Sequence, residues 1–482
     1  MGIFRTNDPT QFDDIDGIVI DESAPPSAIS GAAANVAILV GQFQRGPLEL
    51  SLPLGSIGEF HEIYGKSSFS GNKQLKNKKF GALRIIRAAA AAAAKATLTI
   101  DDGGGSPVDI IKFDAKYVGA YGNNIKVTTE TGSNSGTKYT IEDTNADAVL
   151  PVEVYDDIVV TAITAATFAG SKLVDATVLA TSAEPDAIAA TSLASGSDGS
   201  IADTDYEDAI ALAEEEKAGN VLFLDSYNST RSGYLKTHVA ATQDKMCIVC
   251  GAVGDDRAAA ITDAANYRDS DGRIMYAWPY VQTSIDGALE LTPPAAWVAS
   301  IFSQTSPHVA LSYTGNTGFL AGITDLEYKE SRNGYIALNA AGVLALERDK
   351  DVGYLVKNAV TTHIVNTEKR EVLRRRMADF LTTSIAYYLK NYQNDVNSSA
   401  KRDEVKAAIL TFDALLVADK IVPGANEVKS GLPLLVDTES LNTDAVVASG
   451  QFRILYKRRI YSSMRFIVLQ AEIGTSVVVT EV

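Results

Sequence analysis

Apolar residues gather along this chain in short runs, and the spacing inside each run separates strands from helices. Residues Asn35 to Val40 (NVAILV) form a nearly unbroken apolar run that stops at Gly41, the pattern of a strand buried on both faces. A turn-rich loop, GQFQRGPLE, follows. In SIGEFHEIYG, Ile57, Phe60 and Tyr64 recur at helical spacing and Gly65 stops the pattern, so a short amphipathic helix is predicted. Ala82 to Arg87 (ALRIIR) predicts another strand. The seven alanines of Ala88 to Ala94 favour helix by propensity but lead into KATLTI, which alternates like a strand, and the two signals stay in conflict.

From about Thr97 to Thr191 the residues shift to Thr, Val, Asp, Gly and Asn in short alternating runs such as IKVTTE and TKYTIE, which predicts a β-rich insertion. Beyond SGSDGS the pattern changes again. Asp205 to Lys217 predicts an amphipathic helix with an acidic first turn, Asn220 to Leu224 (NVLFL) a strand, and Met246 to Val249 (MCIV) a further strand with a helix from Asp256 to Tyr267 behind it. Strands alternating with helices point to a mainly parallel α/β sheet. Met275 to Val281 (MYAWPYV) continues that sheet, near an edge on account of Pro279. The longest predicted helix runs from about Glu368 to Asn391, and a second from about Lys401 to Asp413. The chain closes on TSVVVTEV, a strand pattern with no room left for a hairpin, so its partner must come from elsewhere.

Length changes this picture by requiring more than one core: 482 residues exceed what a single core usually organises. Apolar residues at 46% with charged residues at 21% belong to a globular chain that is neither disordered nor membrane-embedded. No stretch approaches a spanning helix and the start lacks the apolar core of a secretory signal, so a cytoplasmic site of synthesis and no membrane partner are expected. A net charge of −17 repels phosphate backbones and argues against nucleic acid as a partner. The charge is uneven: Lys66 to Arg87 holds seven bases and no acid, Arg453 to Arg465 five bases and no acid, and Asp8 to Glu22 six acids and no base. Separated patches of opposite sign suit a chain that binds copies of itself or a charged neighbour, and equally suit solvated faces.

Candidate chemistry is sparse. Cys247 and Cys250 have C-x-x-C spacing, but on a strand residues three apart point to opposite faces, and the four histidines, His61, His238, His308 and His363, stand singly. They are read as core cysteines, with no metal and no cofactor expected. There is no nucleophile elbow, no H-E-x-x-H and no Walker A pattern. GAVGDDRAAAI is the nearest phosphate-loop candidate, but Asp255 and Asp256 would repel a phosphate there and are favourable as helix caps. No catalytic residue is singled out.

Four segments, taken in order, resemble the contractile-tail sheath family of contractile-tailed phages, R-type pyocins and related injection devices. NVAILVGQFQRGPLELSLPLGSIGEFHEIYG resembles its apolar strand, G-P loop and short helix. AKYVGAYGNNIKVTTE is similar to its G-x-(W/Y)-G-N turn, here with Tyr121, Gly122 and Asn123. SLASGSDGSIADTDYEDAIALAE is similar to its L-x-x-G-x-D-G segment, here with Gly196, Asp198 and Gly199, and RRRMADFLTTSIAYYLKNYQND resembles the arginine-containing helix that opens the closing domain. Many relatives carry W-G-A-R-T before that helix where this chain has YLVKNAVTTHIVNTEKR.

The resemblance implies an α+β or α/β multidomain fold whose inner domain is formed by both chain ends, with an α/β domain and a β-rich domain inserted between them. Expected boundaries are an N-terminal arm at 1–30, an α/β middle domain at 31–96 plus 196–345, a β-rich outer insertion at 97–195, an inner C-terminal domain at 346–472 and an arm strand at 473–482. It further implies a non-enzymatic subunit of a virion tail, polymerising as stacked rings around an inner tail tube protein, with baseplate and tail terminator proteins as further partners. Ile18, Val19 and Ile20 in the first arm and Val477, Val478 and Val479 in the last are the expected inter-subunit strand-exchange residues. Arms folded back on their own domain would use the same strand physics. Arg374, Arg375 and Arg376 are the expected source of inner-tube contacts, although consecutive helical residues cannot all face one partner. An α/β hydrolase-like enzyme over residues 200–345 and a non-contractile shell protein are the alternatives.

Overall fold

The computed structural model of the chain describes residues 2–6, 17–21, 29, 31, 35–66, 69–164, 166–216, 220–312, 320–365, 368–428 and 430–463. Its largest element is a seven-stranded sheet in the order Gly353–Val356, Val343–Asp349, Ile274–Trp278, Met246–Cys250, Val221–Leu224, Ala37–Gly41, Leu83–Arg87. Every pairing is parallel except that of Gly353–Val356, which turns back antiparallel at the edge. Parallel strands need covered faces, and the sequences provide for two. Leu39, Phe223, Ile248 and Ala277 point into one core against the helix Pro294–Gln304, while Ile38, Leu222, Cys247 and Tyr276 point into a second. Helices Asp203–Ala211, Ser229–Thr242, Arg257–Ala264 and Arg332–Ala340 close that second face.

Pro279 does not mark an edge. Ile274–Trp278 lies between two parallel neighbours, and the proline comes just after its last residue, where no ladder donor is lost. The alanine run forms neither helix nor strand: Ala88 donates to the Gly41 carbonyl, and Ala94 exchanges backbone hydrogen bonds with Ser197. Tertiary pairing there overrides helix propensity.

Two antiparallel sheets build the β-rich region. One has the order Val174–Val178, Asp109–Ala115, Thr97–Asp101, and the other Thr191–Ser192, Ile125–Thr131, Thr137–Asp143, Glu153–Ile158. Between them Phe113, Tyr139 and Phe168 meet edge to face at 5.5 to 5.7 Å between ring centroids, the arrangement the aromatic quadrupole favours.

The chain divides into two units, residues 33–379 and residues 1–32 together with 380–482, with the division falling inside the helix Val372–Leu389. The boundary expected at 346 falls within the strand Val343–Asp349. In the unit of the two chain ends, Val405, Ile409, Phe412 and Leu416 are buried on one face of the helix Ser399–Ala418, four positions at helical spacing. Leu434–Asp437 pairs antiparallel with Leu455–Arg458, and Gly2–Thr6 pairs in parallel with Gly17–Asp21.

Candidate assembly surfaces

Two of the sequence motifs, more than seventy residues apart, close on each other at the root of the insertion. The Asn123 side chain donates to the Gly196 carbonyl at 2.9 Å and accepts from the Gly196 N–H at 2.8 Å. The Ala120 N–H donates to Asp198 Oδ1 at 3.0 Å. Beside them Thr97 and Ala194 exchange backbone hydrogen bonds at 2.8 and 2.9 Å, so the chain enters and leaves the insertion as adjacent strands. Gly196 and Gly122 are required for closeness: a Cβ on Gly122 would come within 2.8 Å of Ala115 Cβ and 2.9 Å of Ala96 Cβ.

Two buried arginines from the sheet side complete the root. Arg87, the last residue of its strand, donates to the carbonyls of Gly46 and Val118 at 3.1 and 3.0 Å. Arg45 ion-pairs with Asp143 at 3.0 Å with both side chains at most 4% exposed, and donates to the Glu62 carbonyl at 3.1 Å. Gly46, at φ +115°, lets Tyr64 lie against the loop where a side chain would collide with its ring.

The arginine triplet is spread around its helix. Arg376 is 1% exposed, donates to the Phe302 and Thr305 carbonyls and lies 4.0 Å from the Phe302 ring centroid, so it serves the interior and not a surface. Burial draws its guanidinium down to about 9. Arg375 pairs with Asp379, which also receives both guanidinium nitrogens of Arg273 at 3.0 and 3.1 Å. Arg374 reaches Glu368 at 2.9 Å and Glu371 at 3.0 Å, with its side chain 23% exposed. Among the three it lies closest to solvent.

Ile18, Val19 and Ile20 lie in the strand Gly17–Asp21, opposite Ile3, Phe4 and Arg5. Val477, Val478 and Val479 lie outside the described residues. Among the described residues the pair Leu434–Asp437 and Leu455–Arg458 is a two-stranded sheet with no third strand on either side. It is anchored by Arg458, which ion-pairs with Asp413 at 2.6 Å and donates to the Pro433 carbonyl at 2.9 Å.

The carboxyl ends of the parallel strands are where an α/β enzyme would hold its ligand. There Asp225, fully buried, accepts from the Gln42 N–H at 2.9 Å, from the Tyr206 hydroxyl at 3.0 Å and from Ser70, contacts that knit the strand ends together. Asp256 caps the helix Arg257–Ala264 through the Ala259 N–H, and Asp255 accepts from the Ala252 N–H at 2.8 Å. Cys247 and Cys250 are buried free thiols, Cys250 pushed up to about 12 by burial. Among the described residues no three metal-ligating side chains come together, and no helix is long and apolar enough to cross a membrane.

No protein-family model matches the chain, and no curated protein matches it in sequence. Solved structures do match. The sheath tail protein of Listeria innocua superposes with a TM-score of 0.63 at 16% identity, over 89% of this chain and 96% of the other. The sheath tail protein of Desulfitobacterium hafniense gives 0.60 at 17% identity, over 88% and 94%. The helical sheath protein of the anti-feeding prophage in its contracted state gives 0.58 at 14% identity, over 95% and 99%. The chain has the fold of a contractile-tail sheath protein. In this sheath fold the second and third family-like segments form the root of the insertion, joined by Asn123, Gly196 and Asp198. Sequence reasoning passed over Arg45 and Arg87, whose signal is plain in retrospect: each is a cation at or just past the end of an apolar strand, and a cation so placed must be paired or hydrogen-bonded if buried.

Proposed function

We propose that this chain is the structural subunit of a contractile sheath, polymerising as stacked rings around an inner tube and contracting to drive that tube through a target cell envelope. The observation that carries the reading is the extent of the match: it runs over 95% of this chain and 99% of the contracted anti-feeding prophage sheath protein, so no large segment lies outside that fold. The matched proteins are named as sheath components, not as enzymes. The partners proposed are further copies of the chain, an inner tube protein, a baseplate and a tail terminator, in a virion tail or phage-like particle assembled in the host cytoplasm.

Strand exchange by Ile18, Val19, Ile20, Val477, Val478 and Val479 is part of the proposal. It is supported by the two-stranded sheet Leu434–Asp437 with Leu455–Arg458, which has no third strand among the described residues, so that an extended arm from a neighbour could add to its edge. For the inner tube, Arg374 is the member of the triplet proposed to make contact, because a partly exposed ion pair exchanges partners at little cost. Negative-stain electron microscopy of the purified chain, beside a variant lacking Thr475 to Val482, tests the assignment. Striated hollow tubes from the full chain alone support both sheath and arm. Tubes from both discard the arm's role; flat sheets or closed shells favour the shell alternative, and a small oligomer with turnover favours an enzyme.

A further inference from the structure

A cleft of about 690 Å³ opens beside the helix Ile57–Tyr64, walled by the residues that follow the helix Ser70–Leu75 and by the turn between the strands Val281–Ile285 and Ala288–Thr292. That volume lies in the ~300–1,000 Å³ range of ordinary binding pockets. Its titratable lining is His61, Lys66, Lys76 and Lys78 against Asp147 and Asp286. Both carboxylates are engaged within the fold, Asp286 by Lys76 and Asp147 by the Gln44 side-chain amide at 3.2 Å. Among the described residues neither Lys66 nor Lys78 has a carboxylate within ion-pair distance. Among the described residues the Lys78 ammonium has the Lys76 carbonyl at 3.5 Å and the face of Trp297, 4.4 Å from the ring centroid, as its polar contacts. A buried cation ordinarily has a counter-charge, and an aromatic face replaces one only in part. Burial draws Lys78 down to about 7, and His61 is lowered by burial first and then by the neighbouring Lys66 and Lys76. The cleft is therefore a formed site short of negative charge.

The chain carries the complement. Between the strands Gly2–Thr6 and Gly17–Asp21, residues 7–16 hold Asp8, Asp13, Asp14 and Asp16 and no base. In a lattice of identical subunits each copy offers both a donor segment and an acceptor cleft, and such a head-to-tail contact either closes into a ring or runs on as a helix. We propose that this cleft is a carboxylate-binding dock for the acidic segment 7–16 of a neighbouring copy, with Lys66 and Lys78 as its charged contacts. The proposal rests on the self-assembly reading above.

Two experiments keep the proposal and that reading separable. A fluorescently labelled peptide spanning Thr6 to Asp21 is titrated into the full-length chain under conditions that hold it unassembled. Saturable binding is expected, weakening about tenfold or more on substituting Lys66→Glu with Lys78→Met, and weakening further as salt rises toward a Debye length of about 8 Å. Circular dichroism of the variants, with Lys66→Glu alone as the exposed-site variant, confirms folding. A peptide that does not bind, or binds the folded variants as well as the parent, overturns the proposal whether or not the chain forms tubes.

For the docking direction, Lys66→Glu/Lys78→Glu and Asp13→Lys/Asp14→Lys chains are prepared separately. Each alone is expected to lose assembly at a salt concentration where the parent pellets, and the mixture to recover it, because each then supplies what the other lacks. Recovery only when all four changes share one chain would place the segment on its own cleft and overturn docking between copies. A parent chain that never assembles removes the sheath reading and leaves the peptide result standing.

Discussion

A methyl group placed on Gly196 would lie 2.7 Å from the Gly119 carbonyl oxygen and 2.9 Å from the Ala96 side chain, with backbone on one side and packed core on the other. Neither gives way easily, so Gly196→Ala is expected to cost about 1–3 kcal/mol of stability, the usual range for overpacking. Urea denaturation reads this directly, and an unchanged midpoint would show that the root of the insertion yields. Lys78 supplies a pH-dependent counterpart. Its folded-state titration lies near 7 and its ordinary value at 10.5, so between those two values the unfolded chain binds more protons and folding weakens as pH falls; below 7 the penalty is complete. Lys76, with its partner Asp286, and the charges of His61, Lys66 and Asp147 share the same cleft. Lys78→Met should therefore stabilise the chain most below pH 7, with the gain fading toward pH 10.5. A gain that does not vary with pH across that window would mean the ammonium titrates normally.

At the scale of elements, the attachment of the insertion depends on a buried ion pair whose removal is asymmetric. Asp143→Ala leaves the Arg45 guanidinium buried and unpaired and is expected to cost about 3–5 kcal/mol, whereas Arg45→Met with Asp143→Leu should recover much of that loss. A double variant as unstable as the single one would assign the loss to packing instead. The arginine helix offers a similar contrast. Arg374→Glu is expected to cost about 1–2 kcal/mol, because Glu368 is exposed but Glu371 is buried and would lose this counter-charge, and to reduce the amount of tube-bound sheath. Arg376→Ala should unfold the region by about 3 kcal/mol or more, through carbonyls left without donors and a lost contact with Phe302. Unchanged tube binding by Arg374→Glu would remove it from that interface. Legibility followed the same physics. Strands such as Ala37–Gly41 were readable because burial on both faces demands an unbroken apolar run. The helix Pro294–Gln304 was not, because residues 294–303 are all buried and so show no polar face, and its paired prolines read as a break when one of them is the first helical residue. The acids of GAVGDDRAAAI were legible as caps, because the requirement is local: Asp256 accepts the Ala259 N–H within its own turn.

Across the whole molecule, the sequence announced a β-rich insertion followed by alternating strands and helices, and those patterns sufficed for the fold class. What it withheld were contacts between distant segments. Nothing in AKYVGAYGNN indicates that Asn123 will clasp Gly196, and nothing in the basic run from Lys66 to Arg87 tells apart Arg87, locked on two carbonyls, from Lys78, facing an open cleft. The segment around Val477 reads as a strand pattern in want of a partner, and it lies outside the described residues.

Since Thr97 and Ala194 already sit across from each other in a hydrogen-bonded bridge, the excursion between them is topologically a cassette, plugged in through two neighbouring sockets. A foreign domain whose termini lie one strand spacing apart fits the same sockets, provided that Arg45 and Arg87, which lose Asp143 and the Val118 carbonyl, are replaced by apolar residues. In a polymer built from such chains, the graft would be displayed once per subunit at a regular helical pitch.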